Sequence, residues 1–225
     1  MDPNRKLWNQ GEQKLRQALA AHERTEAIKL FLIQHAMLHS AKVSKAGLWS
    51  FEDEVLNDLP EEQFRCVPPR SEHSIAWIIF HLARIEDITM NLLIAGTPQL
   101  FLRDDWKSKL NVRILHAGNE MDDISIASLS VEIDLNALRA YRQSVGRRTR
   151  EIVRKLKAED FGEKASPARL ERIMEERALL PEAAGIRDYW SKRTIAGLLL
   201  MPPTRHNFLH LNEALRIKQK LQRAK

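Results

Sequence analysis

The chain has a single cysteine, Cys66, in 225 residues, so no disulfide can close within it and a small disulfide-stapled scaffold is excluded. Long apolar runs are missing as well. The stretches Ile75 to Phe80 and Ile195 to Met201 fall far short of the roughly 20 residues that a bilayer crossing needs, and no transmembrane helix is expected. Met1-Asp2-Pro3-Asn4-Arg5-Lys6 is not followed by the apolar segment of a secretory leader, so the expected location is cytoplasmic. Glycine is scarce, at 8 residues, and strand-like alternation is rare. There is no glycine-rich phosphate loop and no Ser/His/Asp arrangement of recognisable spacing, so the common nucleotide-binding and nucleophilic devices are absent.

What is present is ordinary for a folded chain: 44% hydrophobic and 29% charged residues, which excludes wholesale disorder. Apolar residues recur at three- and four-residue spacing, which predicts an all-α fold. The length suits one domain over residues 1–225, with residues 1–22 as an accessory N-terminal segment, and no fixed-period repeat suggests a solenoid. The net charge is +6, but 36 basic residues face 30 acidic ones with the signs mostly interspersed. Basic residues gather only in Arg139 to Lys157 and Arg216 to Lys225. Neither stretch interleaves aromatics for base stacking, so solvated helix faces are expected there and nucleic-acid binding is not.

The pattern predicts an amphipathic helix from about Leu7 to Ala21 and a first core helix from about Glu23 to Ala41, with Ile28, Phe31, Leu32, His35 and His39 on one stripe. Ser50 caps a short helix ending before Pro60. The most hydrophobic helix runs from about Glu72 to Ala95 and closes at Gly96, with Trp77, Ile78, His81, Ile85, Ile88 and Leu92 along one face. Thr97 to Ser130 reads as a long crossover connection holding at most short helices, which suits a four-helix bundle. Asp134 caps a helix reaching Leu156, and a short helix lies near Pro167 to Arg177. Two more span about Ile186 to Met201 and Thr204 to Gln222, with Pro202-Pro203 ending or kinking the path between them.

Histidine carries the chemistry. His206 and His210 are four apart on the last helix, so their rings are neighbours on one face, as a shared metal ion needs. His81 sits among apolar neighbours on a different long helix, and bundles bring side chains from facing helices to an internal site. Alone, His81 is as readily a core histidine hydrogen-bonded to a backbone oxygen. Three imidazoles would hold Zn²⁺ and leave a fourth position open, the arrangement of catalytic zinc, and Ni²⁺ or Fe²⁺ would be accepted too.

The segment Trp77-Ile78-Ile79-Phe80-His81-Leu82-Ala83-Arg84-Ile85-Glu86-Asp87, followed by His206-Asn207-Phe208-Leu209-His210, resembles the DinB/YfiT-like superfamily of helical bundles over roughly Glu23 to Lys220. That resemblance implies a divalent metal held by His81, His206 and His210. It further implies a small-molecule substrate, with low-molecular-weight thiols such as bacillithiol or mycothiol as co-substrates in characterised transferases and isomerases, and a homodimer. The accessory helix and the long connection depart from a minimal member and would reshape the mouth of the site.

Other residues are weighed beside these. His35 and His39 could line the site, ligate or move protons, and Trp77 is close enough in spacing to His81 to line it. Glu86 and Asp87 should turn away from the His81 face and cap, pair with Arg84 or meet another helix. Glu52 and Glu54 read as a solvated acidic face, Cys66 as inert burial, and Trp49, Trp106 and Trp190 as core or pocket wall. The leading expectation is a metal-dependent transferase or hydrolase acting through an activated thiol or water. A non-enzymatic stress-response or binding module on the same bundle is the alternative, with a basic nucleic-acid-binding protein as the more distant one.

Overall fold

A computed structural model describes residues 2–223. Helix α1 (Pro3–Ala20) starts where Asp2 accepts from the Asn4 and Arg5 amides, with Pro3 at the first position, where a missing N–H costs nothing. It is no loose appendage. Trp8 and Leu15 are fully buried, and the Trp8 ring stacks on Phe208 at 4.1 Å between centroids, tilted by 6°. Helix α2 (Arg24–Ala36) lies against α1 and ends five residues earlier than the apolar stripe suggests. Met37 and His39 turn the chain there: the Met37 carbonyl accepts from the Phe51 amide and the His39 carbonyl from the Ser50 hydroxyl. Ser50 also caps α3 (Phe51–Leu56), as expected.

Helix α4 (Ile75–Asp87) is the axis of the molecule, and Ser74, rather than Glu72, sets its start by accepting from the Trp77 amide. Every residue of α4 is buried, so it has no outward face at all, which is the property of a helix surrounded on all sides. It runs on as a π-helical segment, Ile88–Ala95, and stops at Gly96, whose φ of 67° is the left-handed conformation a side chain would oppose.

The connection after Gly96 holds two single-turn helices and then α5 (Asp123–Glu132), which is longer than the expected short pieces because Asp122 caps it through the Ser125 amide. Helix α6 (Leu135–Lys155), capped by Asp134 as expected, packs along α4. Gly146 lets it come close: a Cβ there would stand 2.7 Å from Nδ1 of His39. Two members of its basic run point inward, Arg142 being fully buried and Arg150 donating to the Leu32 carbonyl, so the helix offers no continuous basic face.

The C-terminal part comprises α7 (Pro167–Glu175), α8 (Ala184–Ser191), α9 (Ile195–Leu199) and α10 (Asn207–Arg223). The single helix expected from Ile186 to Met201 is broken at Thr194, which takes an extended conformation, caps α9 and bridges to Lys164. Pro202-Pro203 does not end the path. The chain passes through a π-helical turn, Met201–His206, in which the Thr204 hydroxyl donates to the Leu199 carbonyl at 2.8 Å, and continues directly into α10. The result is an all-α bundle with no strand, and no helix long and apolar enough to cross a membrane, among the described residues.

Candidate metal centre

Position and tautomer of each histidine follow from the elements that carry it. His81, halfway along α4, donates from Nδ1 to the Ala117 carbonyl at 2.8 Å, which leaves Nε2 as its lone pair. That Nε2 lies 3.2 Å from Nε2 of His206, at the end of the π-helical turn. Two nitrogens bound to one tetrahedral zinc at about 2.0–2.1 Å would stand about 3.3 Å apart, so the spacing already fits a shared ion. His210, one turn into α10, donates from Nδ1 to Glu213 at 2.9 Å and likewise keeps Nε2 free. One ligand atom from each of the three rings lies within 4.8 Å of the other two.

Neighbouring groups fix these rings. Glu213 accepts from His210 with one oxygen and from His73 Nδ1 with the other, at 2.8 Å. A carboxylate behind a ligating imidazole orients the ring and raises its basicity. Although burial raises its pKa, hydrogen bonds from His210 and His73 hold the Glu213 carboxyl down to about 2. Trp77 stacks on His81 at 4.8 Å and His73 stacks on Trp77 at 3.8 Å, so the three rings form one stack. Burial, then the nearby His210, lowers His81 to about 3, and burial with His81 and His210 lowers His206 well below its ordinary range. Both rings are therefore neutral at neutral pH, the form that binds metal.

His35 and His39 stand elsewhere. Their rings stack on each other at 4.0 Å, fully buried, and donate from Nε2 to the two oxygens of Glu86 at 2.9 and 3.0 Å. Glu86 also accepts from Arg142 (2.9 Å), Thr149 (2.7 Å) and Asn207 (2.8 Å). Burial raises the Glu86 pKa, but His39, His35 and Arg142 outweigh it and hold the carboxyl well below the usual range. Arg142 reaches on to Glu52 at 3.1 Å, so Glu52 belongs to a buried ion pair and not to the solvated face its sequence suggests. This second His/His/Glu group has the donor types of a metal site, but its carboxylate oxygens already take five donors, one of them a guanidinium. It is an ionic hub, and through Asn207 it holds the residue next to His206.

Asp87 meets expectation by pairing with Arg84 at 3.6 Å, and it accepts from the Leu100 and Phe101 amides and the Tyr141 hydroxyl. Glu54 binds Arg5 of α1 and the Trp49 indole. Cys66 is free and half-buried. The residues that sequence reasoning passed over are Glu213, His73 and Arg142, and Glu86 was placed against another helix without its role as shared acceptor. Glu213, three residues after His210 on one face, is the one whose spacing announced it.

Residues 52–214 match the DinB superfamily, a span that holds all three converging histidines, Glu213, Glu86 and Arg142 but leaves out His35 and His39. No curated protein matches the chain.

Proposed function

Since the chain belongs to the DinB superfamily, we propose that His81, His206 and His210 hold one divalent metal ion and that the protein is a metal-dependent enzyme acting on a small molecule, by thiol transfer or hydrolysis. One observation carries the reading: the Nδ1 atoms of His81 and His210 are tied to protein acceptors, which leaves Nε2 of each as the lone-pair donor in a group whose ligand atoms lie within 4.8 Å of one another. Zinc suits three imidazoles best, with nickel or iron acceptable. When bound, such an ion keeps a position for a thiol or water and lowers that ligand's pKa toward neutrality.

The chain's own residues do the rest. Ala117 and Glu213 set the tautomers, Trp77 fixes the His81 ring plane, and the π-helical turn carries His206 to the edge of a cavity. A site of this kind favours chemistry on a bound small molecule over a merely structural ion, whose fourth ligand would come from the protein.

The test is elemental analysis of protein purified without an affinity tag. Near one equivalent of divalent metal is expected in the parent chain and none in the His206→Ala, His210→Ala double variant; equal metal in both would refute the assignment. Glu213→Gln is expected to weaken metal affinity by about 10–100-fold while leaving the fold intact, read by competition with a chelator. An unchanged affinity would mean that Glu213 does not support His210. A transfer screen across several low-molecular-weight thiols then addresses the reaction.

A further inference from the structure

The cavity beside His206 has a chemical character of its own. Its volume is about 230 Å³, and its walls are Ile85, Ile186, Tyr189, Trp190, Met201 and Pro202. Ile85 lies one turn beyond His81 on α4, so it shares that ring's face. Ile186, Tyr189 and Trp190 fall at i, i+3 and i+4 on α8, which brings one helix face to bear as an apolar, aromatic wall. Met201 and Pro202 come from the same π-helical turn that presents His206.

Among the described residues, no carboxylate, ammonium or guanidinium lines this space; its polar members are His206, the Tyr189 hydroxyl and Asn119. A cationic ligand would lose its hydration here with no carboxylate to meet it, and a metal ion on His206 would oppose it further, whereas an apolar ring would fill the space against the isoleucine and aromatic walls. For scale, an apolar cavity of about 150 Å³ accepts benzene, so this one has room for one to two rings.

We propose that this cavity binds the aromatic ring of a substrate that carries no cationic group, with Ile186 and Tyr189 as its specificity-determining residues. The proposal rests on the reading of His206 as part of the metal centre, because the cavity places the ring of such a molecule beside that histidine.

The test is calorimetric titration of the full-length protein with 2-naphthol and with 2-naphthylmethylammonium, with metal content measured on the same sample. The neutral ring is expected to bind at least tenfold more tightly than the ammonium. Ile186→Asp should lower 2-naphthol affinity at least tenfold with the metal content unchanged, and Tyr189→Ser, at a position already partly open to solvent, should lower it severalfold without disturbing the fold. Equal affinity for the two probes, or 2-naphthol binding indifferent to both substitutions, would overturn the proposal. Protein free of divalent metal that keeps the charge selectivity would defeat the metal assignment and leave the aromatic pocket standing. Metal-loaded protein without selectivity would do the reverse.

Discussion

Glu86→Ala is expected to cost about 3–5 kcal/mol of folding stability, more than any single substitution among the three converging histidines, because it strips the counter-charge from a buried guanidinium. Glu86 and Arg142 are both fully buried, and the carboxylate is the shared acceptor for His35, His39, Arg142, Thr149 and Asn207. Its removal leaves five donors to find new partners in a space that α2, α4, α6 and α10 close off. Arg142 would keep only Glu52. The comparison that isolates this cause is the triple variant Glu86→Leu, Arg142→Leu, Glu52→Leu: it removes all three buried charges, leaves none uncompensated and should cost less than Glu86→Ala alone. Urea unfolding of the parent and the two variants reads the difference. A loss below about 1 kcal/mol for Glu86→Ala would mean that the hub is hydrated and that its charges are screened.

The same hub shows where sequence reasoning reaches its limit. His206 and His210 were legible because a four-residue spacing on an amphipathic helix has one geometric meaning, and His81 because a polar ring in the middle of an apolar run needs a reason to be there. The caps Ser50 and Asp134 and the stop at Gly96 were legible for the same local cause: each is settled by hydrogen bonds or backbone conformation within a few residues. Glu86 was legible only in part: its position turns it from His81 toward another helix, but α4 is buried all round, so which donors converge on it depends on the helices packed there. Arg142 and Glu52 sit on helices whose other charges are exposed, and composition does not separate one buried pair from its surroundings. His35 and His39 illustrate a third case: their spacing suggested residues lining the His81 group, but they bind Glu86 instead, because what meets them depends on which element packs against α2, a long-range fact. The break at Thr194 and the continuation through Pro202-Pro203 are likewise tertiary outcomes that reverse local signals.

Raising the pH from 5 to 8 is expected to destabilise the parent chain through Glu12, and Glu12→Gln should abolish that part of the pH dependence. Glu12 lies on α1, 6% exposed, with both carboxylate oxygens buried and unpartnered among the described residues. Burial raises its pKa from 4.5 to about 7, against the opposing charges of Arg16 and Arg205. Below pH 4.5 the group is protonated whether the chain is folded or not, and it costs nothing. Between 4.5 and 7 the unfolded chain releases the proton and the folded chain keeps it, so stability falls as pH rises; above 7 both states are ionised and the loss levels off. The shift corresponds to a loss on the order of 3 kcal/mol across this window. Glutamine fills the same space without a charge, so the stability gap between variant and parent should widen by that order between pH 5 and pH 8 in paired urea titrations. The site matters beyond α1, because Arg205, one of its two cationic neighbours, immediately precedes His206: this helix lies outside the span shared with the superfamily, yet it abuts the turn that presents a candidate ligand. A pH-independent gap would show that Glu12 is ionised and solvated in the folded chain, and that α1 packs more loosely against this turn than the burial of Trp8 and Leu15 implies.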